Sequence, residues 1–234
     1  MTIIASSKKF IFVHLHKCGG TSVTQSYAPH AAWNDLVIGA TPLGEELQPI
    51  YLKLHGLHKH NSASELKKIV GPEVWSEYWT IALVRHPLRI YESFYRWIYG
   101  TVKRYIEENK MTREQFVSQY NRNEINANFT GWGATRVLVQ STCFAEFIDI
   151  ALKQKLMPGT LTSRLSEAGK IIVDNVYKLE EIDRLWDEFE ARNALKIARL
   201  HQNRSVAQEC QWDKAHIEEM YRRFEIDFRT FDYA

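Results

Sequence analysis

The stretch Phe10-Ile11-Phe12-Val13-His14-Leu15-His16-Lys17-Cys18-Gly19-Gly20-Thr21-Ser22 decides how this chain is read. Its first four residues form a short continuous apolar run, the pattern of a strand buried on both faces. The run gives way to a polar turn holding two adjacent glycines, and Ser22 to Tyr27 is compatible with a helix. Strand, glycine turn and helix in succession are the start of a βαβ unit.

The same pattern recurs further on. Trp79-Thr80-Ile81-Ala82-Leu83-Val84 is a second apolar run, followed by Arg85-His86-Pro87 and an apolar-periodic segment. Pro87 suits a first helical position, where a missing N–H costs nothing. Ile171-Ile172-Val173 is a third run, with Val176 to Leu179 after it. Between the runs, Ser62 with Glu65 has capping-box spacing and predicts a helix from Ala63 that buries Leu66, Ile69 and Val70. Thr112 is placed to cap a helix carrying Phe116, and another helix is expected over Phe144 to Leu152. Ile182, Leu185, Trp186 and Phe189 recur at helical spacing, as do Ile217, Met220, Tyr221, Phe224 and Phe228. Buried strands alternating with helices predict an α/β fold, a central parallel sheet flanked by helices in three layers. Ligands of such sheets bind at the carboxyl ends of the strands, where the loops after Val13 and Val84 lie.

Composition narrows the partners. The 234 residues include 30 Lys and Arg against 28 Asp and Glu, a net charge of +2. That balance argues against nucleic acid or another extended polyanion as partner, so anion binding must come from local placement of charge. Cys18, Cys143 and Cys210 are odd in number and far apart, which fits a reducing compartment rather than a disulfide framework. No run approaches the roughly 20 apolar residues of a membrane span. A single domain over residues 1–234, cytoplasmic and away from membranes, is the expectation.

Two constellations suit phosphate. In His16-Lys17-Cys18-Gly19-Gly20-Thr21-Ser22 the glycines let successive N–H groups converge, the helix adds its positive end, and Lys17, Thr21 and Ser22 add a charge and two hydroxyls. Lysine precedes the glycines here, so this is not the Walker pattern. In the second, Arg85 falls at a strand end, while Arg89 and Ser93 share a helix face, suiting a second phosphate. A plain glycine turn and a solvated helix face are the bland alternatives.

Together the two motifs resemble the phosphate motifs of the sulfotransferase superfamily that uses 3′-phosphoadenosine 5′-phosphosulfate (PAPS), in particular its carbohydrate-type branch. Lys17 to Ser22 is similar to the 5′-phosphosulfate loop, and Val84-Arg85-His86-Pro87-Leu88-Arg89 with Ser93 to the 3′-phosphate motif. Leu179-Glu180-Glu181, His201-Gln202-Asn203-Arg204-Ser205 and Asp227-Phe228 continue the likeness. The chain departs from the usual loop at His16, where proline is common, and at Cys18, where threonine is common. The resemblance implies a P-loop-like sandwich and PAPS as donor, with no metal required. It also implies that His16, Lys17, Cys18, Gly19, Gly20, Thr21 and Ser22 surround the 5′ end, that Arg85 and Ser93 hold the 3′-phosphate, and that Arg204 lies near the nucleotide.

His55-Gly56-Leu57-His58-Lys59-His60 offers a base, since a histidine near neutral pKa can take the proton of an attacking hydroxyl. His58-Lys59-His60 resembles the His-Gly-His segment of uronosyl 2-O-sulfotransferases, which points to His60 with His58 behind it. A metal site joining these histidines to His14 or His16 is the competing reading, and a thiolate nucleophile at Cys18 is another. The acceptor expected is a small polar metabolite or natural product, with a glycan as the alternative. Thr101 to Gln140, with Tyr105, Tyr120, Asn123, Asn126, Asn128, Phe129, Trp132 and Arg136, is the segment expected to meet it. A kinase using Asp174 as a metal aspartate and a non-catalytic nucleotide-binding module are the rival readings.

Overall fold

A computed structural model describes residues 1–125, 129, 133–154, 158–200 and 208–233. In chain order the elements are β1 (Thr2–Ala5), β2 (Phe10–Val13), α1 (Gly20–Tyr27), β3 (Asp35–Ile38), α2 (Pro42–His55), α3 (Ala63–Val70), α4 (Pro72–Glu77) and β4 (Trp79–Val84). The helices α5 (Pro87–Glu108), α6 (Arg113–Asn121), α7 (Gly133–Val139) and α8 (Phe144–Gln154) follow. Then come α9 (Leu161–Leu165), β5 (Ser166–Glu167), β6 (Lys170–Ile171), β7 (Asn175–Lys178), α10 (Ile182–Asn193), α11 (Lys214–Arg223) and α12 (Glu225–Thr230).

The chain forms two compact units, one of Met1–His86, Gly159–Asn203 and Ile226–Ala234, the other of Pro87–Pro158 and Arg204–Glu225. The first holds a five-stranded sheet in the order β3-β1-β2-β4-β7, flanked by helices. β2 pairs with β4, and β4 with β7, in parallel; β1 runs antiparallel to both β2 and β3. The sheet is therefore mixed rather than wholly parallel: β1 forms a hairpin with β2 and opposes the other four strands. β2 is buried along its whole length, and burying each such large apolar side chain contributes about 1.5–3 kcal/mol. Phe10 of β2, Tyr27 of α1 and Phe189 of α10 meet edge to face, with centroids 4.9 to 6.0 Å apart, and this cluster fixes α1 over the sheet.

The third sequence run is displaced. Lys170–Ile171 pairs antiparallel with Ser166–Glu167 in a small separate hairpin, and the sheet strand begins at Asn175. Ile171 is exposed, so its apolar character marks no buried strand. The capping box at Ser62 and Glu65 is present and starts α3 at Ala63, and Thr112 with Gln115 forms another at α6. Leu66 is fully buried, whereas Ile69 and Val70 are only partly so.

The second unit is helical. Tyr105 of α5, Phe116 of α6 and Phe129 form an edge-to-face cluster with centroids 5.0 to 5.8 Å apart. These aromatics of the segment expected to meet an acceptor pack its core. Asn126, Asn128 and Trp132 lie outside the described residues. No described helix is long and apolar enough to cross a membrane.

Candidate functional site

The connection after β2 leads toward β3 on one side of the sheet, while the chain after β4 returns as β7 on the other. Adjacent strands whose following connections diverge open a crevice at their carboxyl ends. The loops 14–19 and 85–86 leave the sheet there.

Lys17 (φ +60°) and Gly19 (φ +81°) both take the left-handed conformation, which turns the chain sharply into α1. For lysine that conformation carries a cost of about 1 kcal/mol, so neighbouring structure must hold it. One such hold is Arg85, whose Nη1 donates to the Lys17 carbonyl oxygen at 3.2 Å. The guanidinium at the end of β4 thus lies against the loop after β2. Burial first, and the Arg85 charge second, lower the Lys17 ammonium from its ordinary 10.5 to about 8. The Ser22 N–H donates to the Gly19 carbonyl oxygen at 3.0 Å, and no side chain caps the Gly19 end of α1.

The two glycines serve different ends. A β-carbon on Gly19 would stand 2.5 Å from Leu179 Cδ1, on top of the strain of its positive φ. A β-carbon on Gly20 would fall inside the His14 imidazole. Leaving that space open lets His14 lie buried under the loop. Its ring centroid is 4.6 Å from His60, and His60 in turn stacks on His16 at 3.6 Å with 19° between planes. Stacking presents ring faces to one another, while imidazole lone pairs lie in the ring planes, so these three rings do not converge on a common ion. No group of three His, Cys, Asp or Glu suited to a metal occurs among the described residues.

All three rings are held neutral. Burial is the largest cause throughout; for His14 the Met1 amine comes next, and for His60 the His14 ring does. His16 is lowered to about 4 by burial and then by Arg164. His60 Nδ1 is buried without a hydrogen-bond partner. His58 is less deeply set, and its Nδ1 accepts from the His60 backbone N–H at 3.1 Å. The His58 N–H donates to Asn61 Oδ1 at 2.6 Å, which fixes the turn before α3.

Sequence reasoning missed Arg164. It reaches from α9 across 104 residues to donate to the His60 carbonyl oxygen, and nothing in Thr162-Ser163-Arg164-Leu165 signals that contact. Asp227 holds α9 in place by accepting from the N–H groups of Leu161 and Thr162, both at 2.8 Å. Glu180 accepts from the His86 N–H at 3.2 Å and from the Tyr233 hydroxyl at 3.1 Å, which sets the loop after β4.

Other candidates divide. Cys18 is fully buried, its Sγ donates to the His16 carbonyl oxygen at 3.3 Å, and desolvation raises its thiol far above the usual range. It is no thiolate nucleophile. Ser22 is buried in the first turn of α1 and Thr21 is partly exposed. Ser93 belongs to the second unit, where it is buried on α5. The Arg89 guanidinium is engaged by the buried Glu92 carboxylate at 2.9 Å. Arg204 lies outside the described residues. Asp174 sits at the opposite end of the sheet: it accepts from the Thr80 N–H and hydroxyl, at 2.8 and 2.9 Å, near the starts of β4 and β7. Four residues of strand, about 13 Å, separate Thr80 from Val84, so Asp174 is not placed as a metal aspartate for this crevice. Comparison with family models, curated proteins and solved structures finds no match to this chain.

Proposed function

We propose that this chain transfers a sulfuryl group from PAPS to a hydroxyl of a small polar acceptor. The observation that carries the reading is the meeting of two basic residues at the carboxyl ends of two parallel strands, where the Arg85 guanidinium donates to the Lys17 carbonyl oxygen at 3.2 Å. A multiply charged anion suits the loop amides and these two part-buried positive groups. PAPS supplies the activated sulfuryl group.

Lys17 and the first N–H groups of α1 stabilise the charge that develops on the 5′-phosphate as its bond to sulfur breaks. His60 accepts the acceptor's hydroxyl proton as the new oxygen–sulfur bond forms, and the anionic donor beside it offsets the burial that disfavours its charged form. His16, stacked on His60, excludes water from one ring face. Positioning and charge stabilisation do most of the catalysis in such loose, in-line transfers.

The test is radiolabelled sulfate transfer from PAPS to a panel of hydroxylated acceptors, read by mass spectrometry, with and without EDTA. Product should form in EDTA. Adenosine 3′,5′-bisphosphate should raise the melting temperature of the native protein and not that of Lys17→Ala. Stabilisation by ATP with Mg²⁺ but not by the bisphosphate would favour the kinase reading and refute this one.

A further inference from the structure

We propose that α2 is a self-association surface, on which a second copy of this chain packs its own α2 antiparallel. Fourteen residues long, α2 has only Gly44 fully buried and carries Pro49 in its interior. Proline removes one intrahelical hydrogen bond. A helix of this length draws most of its stability from packing an apolar face, yet Leu43, Ile50 and Leu54 are 64%, 52% and 67% exposed.

Their placement is ordered. Leu43, Leu47, Ile50 and Leu54 follow steps of four, three and four, which puts them on one narrow helix face, the seam spacing of a coiled coil. Leu47 is partly covered, and the other three are not. Charge then selects the partner. Glu46 and Lys53 lie seven residues apart along the same edge of the seam, one toward each end of the helix. Glu45, by contrast, is already engaged by Lys59 at 3.0 Å.

About a twofold axis between Leu47 and Ile50, an antiparallel copy sets Leu43 opposite Leu54 and Leu47 opposite Ile50. The same operation brings each Glu46 to the other copy's Lys53. The seam is thus complementary to itself in both shape and charge, as an isologous contact must be. One helix pair covers less than the roughly 1,200–2,000 Å² of a standard interface, so a weak, reversible dimer is the expectation.

Sedimentation velocity over a concentration series tests this. Wild type should pass from monomer to dimer as concentration rises, and Ile50→Asp should stay monomeric with an unchanged circular dichroism spectrum. Glu46→Lys and Lys53→Glu should each weaken the dimer about tenfold by setting like charges opposite each other. An equimolar mixture of those two variants should return to wild-type strength, since one brings two cations to the seam edge and the other two carboxylates. A wild type that remains monomeric at its solubility limit overturns the proposal. So does a dimer indifferent to Ile50→Asp, or a mixture of the charge variants that gains nothing.

Discussion

Lys17 with Arg85, and His14 with His60 and His16, are two basic clusters, and burial acts on both in the same direction. They end in opposite charge states. Lys17 starts from 10.5 and, lowered to about 8, still holds its proton at neutral pH. His16 starts from 6.5 and, lowered to about 4, does not. One desolvating environment therefore leaves one half charged and the other neutral. The difference rests on the intrinsic basicity of the residue types.

The most severe way to break this contrast is Lys17→Ala, which removes the charged half. Turnover with PAPS should fall by about 10³, the scale of losing a principal charge-stabilising donor, while the circular dichroism spectrum stays unchanged. Residual activity near wild type would mean that the loop binds something other than a reacting phosphate. His60→Ala attacks the neutral half and should lower kcat by about 10², with donor affinity little changed in isothermal titration. If His58→Ala carries that loss instead, the stacked ring is structural and the base sits on the loop's outer edge.

Gly20→Ala strikes the wall between the halves. Its methyl group displaces the His14 ring and should destabilise the fold by about 1–3 kcal/mol, measured by urea unfolding. A Gly20→Ala protein as stable as wild type would show that the ring moves freely. The smallest effect is in pH. The proposed transfer needs Lys17 protonated, so kcat/KM should decline as pH rises through about 8. Bound donor favours the charged ammonium, so the corresponding limb in kcat should lie at higher pH. Coincident limbs would remove Lys17 as the titrating group.

The fold was legible where burial is complete. β2 and β4 are covered on both faces and read as unbroken apolar runs, and α3 announced itself through its capping box. β3 is an edge strand with only Ile38 fully buried, so Asp35-Leu36-Val37-Ile38 has little to set it apart. α2 escaped notice because its apolar face points to solvent rather than to a core. Of the candidate site, the glycine turn between β2 and α1 and the position of Arg85 at the end of β4 could be read from residue types and spacing. The stacking of His14, His60 and His16 could not, since it depends on the absence of a β-carbon at Gly20. Nor could the Arg164 contact, which arises only when distant segments meet.

The link between Thr80 and Asp174 bears on how the molecule assembles. These residues are 94 positions apart, and they join the strands that complete the sheet on its β7 side. β1 and β2, by contrast, are separated by a four-residue turn. Closing the longer connection adds only about 0.6 kcal/mol for each doubling of its length, so a whole helical unit fits within it at little thermodynamic cost. The delay is kinetic, because non-local pairings form slowly. The edge of β4 that β7 covers is thus the part of the sheet left open longest as the chain folds, and the reciprocal Thr80–Asp174 hydrogen bonds fix the register when it closes.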